Sequence, residues 1–242
     1  MRTIKKRTPP TSFTQWRQPR MAAQRPAGME CTYEELRRSR CIDDVEESLF
    51  QEQGGICAYT GHRLQYEKGN PTFHVEHIVP QTHCNYGGDA DCQNMLACWP
   101  RPNCGFEPSY GAKRKDNWPS PAQQNMFVSP LSSSCTSRFV FNWKGEMKPA
   151  LSTDIEANAT ITQLGLNHDD IKEIRHKEIQ GFLHPASKRI TLAQARKLLN
   201  QIKRDSVDLD RGLNVQLKPF CFVIEQALER EIRKLKAIMR SR

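Results

Sequence analysis

Three histidines and a carboxylate fall within one short stretch of the chain. Residues 71–83, PTFHVEHIVPQTH, contain three of the seven histidines, and Glu76 lies directly before His77 and two residues after His74. An imidazole can act as a base near neutral pH or bind a metal, and carboxylate oxygens bind hard cations such as Mg²⁺. The stretch is therefore compatible with a metal site, with a catalytic base beside an acid, or with a strand that performs no chemistry.

The spacing of these residues favours a strand over a helical zinc site. Zinc-protease signatures such as H-E-x-x-H place two histidines on one face of a helix, whereas His74 and His77 are three residues apart within a β-branched run that Pro80 ends. In a regular strand His74 and Glu76 share one face and His77 lies on the other. If Glu76 and His77 act on one phosphate, the strand must end, bulge or twist there.

Two further segments supply polar and basic residues. DCQNMLACW places Asn94 at the start of a second apolar run, and SYGAKRKDNW places three consecutive cations on a segment able to begin a helix. These cations are Lys113, Arg114 and Lys115, which we expect to pair with nucleic-acid phosphates. The predicted order is a strand with Glu-His, a loop, a return strand with Asn94, and a basic helix.

Together these motifs resemble a known nuclease family. HVEHIVPQ, followed by NML and the lysine-rich segment, is similar to the HNH endonucleases of the ββα-metal superfamily. Four more stretches extend the resemblance to the HNH nuclease subunit of the Septu and retron anti-phage systems, the PtuB family: MRTIKKRTPPTSFTQW, QGGICAYTGHRL, TITQLGLNHDDIKEIR and LKPFCFVIEQAL. The likeness covers nearly the whole chain and is strongest in its centre.

The resemblance implies roles for the central residues. His77 would be the general base, Glu76 would bind Mg²⁺ or Mn²⁺, and Asn94 would hold the site loop and the histidine in place. His74 would be a second metal ligand or a phosphate contact, or else a structural histidine. The family's last metal ligand would fall near Ser109 or Tyr110, neither of which is typical. The alternatives are a metal held by fewer protein ligands, by His74, or by Asn117 if the helix has a different register.

The same resemblance implies a cellular setting. It predicts an effector of an anti-phage complex in the bacterial cytoplasm, controlled by an ABC-class ATPase subunit (PtuA-like), with nucleic acid as substrate and DNA favoured over RNA. Two alternatives remain open because the last ligand is atypical: a zinc-stapled nucleic-acid-binding module with a degenerate HNH site, and a structural adaptor for the ATPase.

The cysteines suggest a second, structural metal. Many HNH domains carry Cys-x-x-Cys pairs that bind Zn²⁺, and an incomplete version of this pattern is present here. The candidate zinc ligands are Cys57, His62, Cys98 and Cys104. Cys84 and Cys92 lie between the matched segments and are either further ligands or free thiols. The nine cysteines are odd in number and widely spaced, which favours a reducing compartment over a disulfide scaffold.

Composition agrees with a polyanionic partner. The 242 residues include 36 Lys and Arg against 27 Asp and Glu, a formal charge of +9, and such an excess favours nucleic acid. No apolar run approaches the ~20 residues of a membrane span. The first 28 residues carry no acid, as in a mitochondrial transit peptide, but their prolines oppose the amphipathic helix that such a peptide requires.

These elements predict an α+β protein: a small ββα-metal core flanked by helices, with a helical C-terminal bundle. We divide the chain into an extended basic arm (1–30), a nuclease core with two leading helices (31–145) and a helical region (146–242). Asp43 or Asp44 would cap a leading helix that Gly54 and Gly55 end. Phe139–Phe141 would form a strand, and helices would begin near Asn167, Leu192 and Pro219.

Overall fold

A computed structural model describes residues 1–25 and 27–241. Within these residues the chain folds into helices and two small antiparallel sheets, a mixed α+β architecture as predicted. The α-helices are α1 (Thr11–Arg20), α2 (Tyr33–Arg38), α3 (Ile42–Glu52), α4 (Ala112–Lys115), α5 (Ile155–Gln163), α6 (Asp169–Leu183), α7 (Leu192–Asp210) and α8 (Cys221–Arg240). The strands are β1 (His74–His77), β2 (Met95–Cys98), β3 (Phe139–Phe141) and β4 (Met147–Pro149).

The N-terminal segment packs against the core instead of extending from it. Met1 and Ile4 are buried, and the Ile4 N–H donates to the Pro130 carbonyl at 2.7 Å. Two cations of this segment are paired: Arg2 contacts Asp210 at 3.0 Å, and Lys6 contacts Glu52. This differs from the predicted extended arm. The basic composition suggested a solvated segment, but burial of the apolar side chains between the cations stabilises the packed arrangement.

The leading helices begin and end close to the predicted residues. Thr32 caps α2, with its hydroxyl accepting from the Glu35 N–H at 3.3 Å. Asp43 and Asp44 lie within the first turn of α3 instead of capping it, and there their negative charges interact favourably with the helix dipole. Gly54, with φ of +63°, follows α3 and allows the chain to reverse.

The first sheet carries the predicted Glu-His strand. β1 pairs antiparallel with β2, with His74 opposite Cys98 and His77 opposite Met95. β2 is buried throughout, whereas β1 alternates: Val75 and His77 are buried, and His74 and Glu76 are half-buried. The alternation places His74 and Glu76 on one face and His77 on the other, as the strand pattern predicts.

Neighbouring elements hold this sheet and the short helix beside it. The Gln53 amide, at the end of α3, bonds both the N–H and the carbonyl of Ala97 in β2 at 2.8 Å. Before α4, Gly111 donates its N–H to the Leu164 carbonyl at 2.7 Å, which ties this helix to the end of α5. α4 is one turn long and ends at Lys115, and the next residue, Asp116, has a φ of +45°.

The second sheet and the last helices form the other half of the core. β3 confirms the predicted strand, and the Gln226 amide of α8 bonds the Phe141 N–H and the Phe139 carbonyl at 3.1 and 2.8 Å. α8 buries one face against α6 and α7. α6 is capped by His168 and not by Asn167, whose amide bonds the Met147 backbone instead.

The last part of the chain is largely helical. α6, α7 and α8 begin within two residues of the positions that the sequence indicates. In the part of the chain that the structure describes, none of the helices combines the length and apolar character needed to cross a membrane.

Candidate active site

β1, the turn that follows it and α4 enclose one pocket. Its volume is about 320 Å³, and His74, Glu76 and His77 form one wall. The opposite wall comes from α4 and the residues directly after it. The remaining lining residues are Pro80, Gln81, Thr82, Ala112, Lys113, Asp116 and Asn117. The predicted base and the predicted metal-binding acid therefore face the same space, although they occupy opposite faces of β1.

His77 reaches the pocket because β1 ends at this residue. Its Nε2 lies 2.8 Å from the carbonyl oxygen of Asp89, which can only accept, so Nε2 carries the proton. Nδ1 therefore holds the lone pair and accepts from the Gln81 amide at 3.2 Å. Burial lowers the pKa of His77 to about 4, although the bond to the Asp89 carbonyl opposes this shift. His77 is thus a neutral imidazole, with its basic nitrogen toward the pocket.

Tyr33 and Asp89 fix the orientation of the His77 ring. The Tyr33 ring packs edge-on to it at a centroid distance of 4.7 Å. Asp89 acts twice, because its carboxylate accepts from the Tyr33 N–H at 2.8 Å while its carbonyl accepts from His77. The loop before β2 and the start of α2 together hold the imidazole.

Asn94 anchors that loop, in the manner that the resemblance implies. Its Oδ1 accepts from the Val79 N–H at 2.7 Å, and its Nδ2 donates to the carbonyls of Val79 and Gly88 at 3.0 and 3.1 Å. Nδ2 also lies 3.3 Å from the Cys84 sulfur. One side chain therefore closes both ends of the segment 79–88, which carries Gln81 and precedes Asp89.

We expect Asn94→Ala to destabilise the protein by about 2 kcal/mol, since it leaves several backbone groups without partners. Thermal unfolding would measure the loss, and cleavage activity should fall as well, because the loop positions His77. Gln93→Ala, at the exposed neighbouring residue, is the matched control and should remain near wild type. A melting temperature for Asn94→Ala equal to that of the control would contradict this role.

His74 is oriented by the segment that follows β2. Its Nδ1 lies 2.6 Å from the carbonyl oxygen of Pro100, so Nδ1 donates and Nε2 keeps a lone pair. Nε2 is 3.9 Å from Glu76 Oε2. Burial lowers the pKa of His74, which favours the neutral form that a metal requires.

The Glu76 carboxylate lines the pocket and also pairs with a buried cation. Lys115 Nζ lies 2.9 Å from Oε1 and donates to the His77 carbonyl at 2.7 Å. Burial raises the pKa of Glu76 to about 7, and Lys115 opposes that rise. The carboxylate therefore has one positive partner and is poorly hydrated.

The three predicted phosphate-binding cations have different surroundings. Lys115 is 1% exposed and paired with Glu76, so its ammonium is unavailable to a phosphate at the surface; this differs from the expectation. The reason is that α4 turns this residue inward. Lys113 is exposed, lines the pocket and pairs with Glu107 at 3.1 Å. Arg114 is exposed and lies beside Gly165.

The donors in this pocket fit a hard divalent cation. His74 Nε2 and Glu76 Oε2 both have free lone pairs, and their separation of 3.9 Å is within the ~4.2 Å that two ligands at about 2.1 Å can span. A carboxylate with a raised pKa would gain from a further positive charge. Asp116 and Asn117 also line this pocket, but among the described residues no third His, Cys, Asp or Glu side chain is placed with His74 and Glu76 to hold a metal.

The segment near Ser109 and Tyr110 lies elsewhere. Tyr110 is buried, and its hydroxyl is 3.1 Å from His62 Nε2. Of the positions considered for the last ligand, His74 and Asn117 line the pocket, and Asn117 Oδ1 accepts from the Thr82 hydroxyl at 3.3 Å.

The four predicted zinc ligands are not gathered together. Cys57 and Cys98 are buried and hydrogen-bonded through their sulfurs, whereas His62 bonds Tyr110 and the exposed Cys104 faces the Phe106 carbonyl. Burial would raise the pKa of Cys57, but hydrogen bonds, first that from Cys98, lower it to about 6. Among the described residues, no group of three or more His, Cys, Asp or Glu side chains is arranged to hold a metal.

Several residues of the pocket were not indicated by sequence. Gln81 carries the amide that faces His77 Nδ1, Asp89 orients His77 through its backbone, and Asp116 faces Glu76 from the end of α4. The residue type could have indicated Asp116 alone, as a carboxylate directly after the basic triplet. A carbonyl contact such as that of Asp89 leaves no mark on the sequence.

Comparison with known proteins does not assign a family. No protein-family model matches the chain, and the search of curated proteins found no match. The assignment of function therefore depends on the motifs and on the geometry of this pocket.

Proposed function

We propose that the protein is a metal-dependent endonuclease of the HNH type that hydrolyses nucleic-acid phosphodiesters. In this proposal β1, β2 and α4 form the ββα-metal core. The observation that carries it is the meeting in one pocket of a neutral histidine whose Nδ1 carries no proton and a histidine-carboxylate pair with lone pairs available to a cation.

The two faces of the pocket have separate tasks. His77 Nδ1 takes a proton from the attacking water, because its other nitrogen is already committed to Asp89. Gln81, which contacts Nδ1 here, is exposed and can yield its place to that water. Lys113 stands at the rim, where it can pair with the phosphate.

His74 and Glu76 would hold Mg²⁺ or Mn²⁺, with Asp116 or Asn117 completing the set. When bound, the cation would neutralise charge on the phosphate and on the departing oxygen. Pairing with Lys115 favours the ionised form of Glu76 against its burial. Burial favours the neutral form of His74, and in that form the bond from Nδ1 to Pro100 leaves the lone pair on Nε2.

The resemblance to the Septu and retron nuclease subunits supports a narrower proposal. The protein would act in the bacterial cytoplasm as the effector of an anti-phage complex, under the control of a PtuA-like ATPase subunit. This step depends on sequence motifs alone, with DNA as the favoured substrate. Co-purification with a co-expressed PtuA-like ATPase would test the association.

The nuclease activity itself is tested by metal dependence. The full chain, with and without that ATPase and nucleotide, should cleave plasmid DNA, oligonucleotides or RNA when Mg²⁺ or Mn²⁺ is added and should stop when EDTA is added. Glu76→Gln should lower the rate at least about 100-fold, because one ligand and the local negative charge are lost. Gel electrophoresis of the products gives the rates.

The matched control is Glu173→Gln, at an exposed carboxylate of α6. It should cleave at the wild-type rate. Equal activity of Glu76→Gln and wild type, or cleavage that persists after complete metal removal, would exclude the proposed site.

One observation favours the zinc-stapled binding module as a second candidate. Cys57 and Cys98 form a buried pair, and a thiol pKa near 6 favours the thiolate that binds zinc. Metal analysis of the purified protein separates the two functions: stoichiometric zinc without metal-stimulated cleavage would favour the module.

A further inference from the structure

A second cavity opens directly beside the candidate active site. It has a volume of about 190 Å³ and shares His74 and Lys113 with the first pocket. The rest of its wall is the segment 100–108, which includes Phe106. A ligand in this cavity would therefore contact the same histidine that faces Glu76.

An exposed aromatic ring forms part of this wall. Phe106 is 47% exposed, and its ring lies 5.6 Å from that of Trp99. Trp99 in turn packs on His62 at 4.2 Å and on the buried Tyr110 at 6.4 Å. Phe106 is thus the outer member of a cluster of tilted aromatic rings that begins in the core, and its exposed face can accept a further flat ring.

Cations stand at the rim of the same cavity. Arg101 is exposed and contacts the Asn70 side chain, and Lys113 pairs with Glu107. The last pair is exposed at both ends, by 57% and 72%, so it is weak and can be exchanged for a phosphate. An aromatic face between cations is the arrangement by which proteins bind single-stranded nucleic acid.

We propose that this cavity binds one unpaired nucleobase, stacked on Phe106, next to the phosphodiester in the candidate active site. Its position beside the cleaved bond depends on the proposed nuclease function. A volume of 190 Å³ is below the ~300–1,000 Å³ of pockets for drug-sized ligands, which suits a single ring system.

The proposal defines the class of substrate. A base inside a duplex is stacked on both faces and cannot enter a side cavity unless it leaves the stack. The substrate is therefore a single strand, or a duplex with an unpaired nucleotide at the cleavage position. Stacking involves the faces of a base and not its edges, so little sequence preference is expected.

Binding can be measured apart from cleavage. Fluorescence anisotropy with the full chain in EDTA would use a labelled oligothymidine of about 12 nucleotides, a common length for single-stranded sites. We expect Phe106→Ala to weaken its affinity about 5- to 150-fold, which corresponds to ~1–3 kcal/mol for one stacked base. Since Phe106 is half exposed, the variant should keep its fold.

Controls separate stacking from charge. Phe106→Tyr keeps a ring and should bind like wild type, and Trp143→Ala, at a 61% exposed aromatic residue of the β3–β4 turn, should also leave binding unchanged. An abasic strand of equal charge and a blunt duplex should bind equally to wild type and Phe106→Ala. An oligouridine of the same length shows whether the strand is DNA or RNA.

The outcomes distinguish this inference from the proposed function. If wild type cleaves nucleic acid but Phe106→Ala binds and cleaves single strands equally well, the base site is wrong and the nuclease stands. If wild type never cleaves, but binds single strands in a base-dependent way that Phe106→Ala loses, the base site stands and the proposed nuclease function is wrong. Equal losses on the abasic and the normal strand would also overturn the base site.

Discussion

His77→Ala is expected to reduce metal-dependent cleavage by about 10³-fold or more, since general bases typically contribute 10²–10⁴-fold. The variant removes Nδ1, the basic nitrogen that faces the pocket, and leaves His74 and Glu76 in place. The rates would be measured under single-turnover conditions, so that substrate binding and product release do not hide the chemical step.

The His77 variant also loses packing, so stability must be measured beside activity. His77 is buried, contacts Tyr33 and donates to the Asp89 carbonyl, and we expect a loss of about 1–3 kcal/mol. Tyr33→Phe keeps the ring contact with His77 and should remain active. This control distinguishes the loss of the base from a disturbance of the packing around it. Wild-type rates from a folded His77→Ala protein would rule out His77 as the base.

The pKa of His77 determines how cleavage and stability should depend on pH. Burial places it near 4, so the imidazole is neutral at every pH above about 5 and available as a base. Protonation of His77 should therefore not limit cleavage between pH 6 and 8. Its folded-state pKa is lowered, so its contribution to stability is complete above about pH 6.5 and is lost as the pH falls toward 4.

The parts of the site that sequence could predict are those that follow strand periodicity. The two-residue period separates His74 and Glu76 from His77, and the burial of β1 follows that separation. The resemblance implied a loop-holding role for Asn94, and its amide makes four contacts to the segment 79–88 and its ends. The positions of these residues depend on local backbone geometry, which a short sequence motif can indicate.

Prediction was weaker where tertiary packing decides. Three consecutive cations on a helix point in directions about 100° apart, and only the position of the sheet determines that Lys115 points inward. Likewise, the end of α4 at Lys115 brings Asp116 and Asn117 to the pocket in place of Tyr110. The burial of Met1 and Ile4 depends on a surface formed by much later residues.

Replacement of Lys115 is expected to have a large effect on the free energy of unfolding. Lys115→Met should destabilise the metal-free protein by about 3 kcal/mol near pH 8, since removal of one partner of a buried ion pair leaves a charge without compensation. Methionine keeps most of the volume, so a cavity contributes little. Chemical denaturation in EDTA would measure the change. Lys113→Met, two residues earlier and 57% exposed, is the matched control and should change stability by less than about 0.5 kcal/mol.

The loss in Lys115→Met should depend on pH. The pKa of Glu76 is raised in the folded protein, so its contribution to stability is complete below its unfolded value of about 4.5 and declines as the pH rises through the folded value near 7. Lys115 lowers the pKa of Glu76, so the variant has a still higher folded pKa and the decline continues further. The difference from wild type should therefore be small below about pH 6 and grow as the pH rises through the wild-type folded value near 7. A difference independent of pH would show that Lys115 acts through packing alone.

The double variant Glu76→Gln with Lys115→Met separates stability from function. Without a carboxylate the buried charge is gone, so most of the lost stability should return, although the His77 carbonyl still lacks its donor. Cleavage should not return, because the introduced glutamine would offer the metal only a neutral amide. Recovery of stability together with continued inactivity would mean that the buried pair serves cleavage through its carboxylate and not stability. Lys115 shifts Glu76 toward its ionised form, and the burial that raises the pKa of Glu76 makes the carboxylate a receptive partner for a cation.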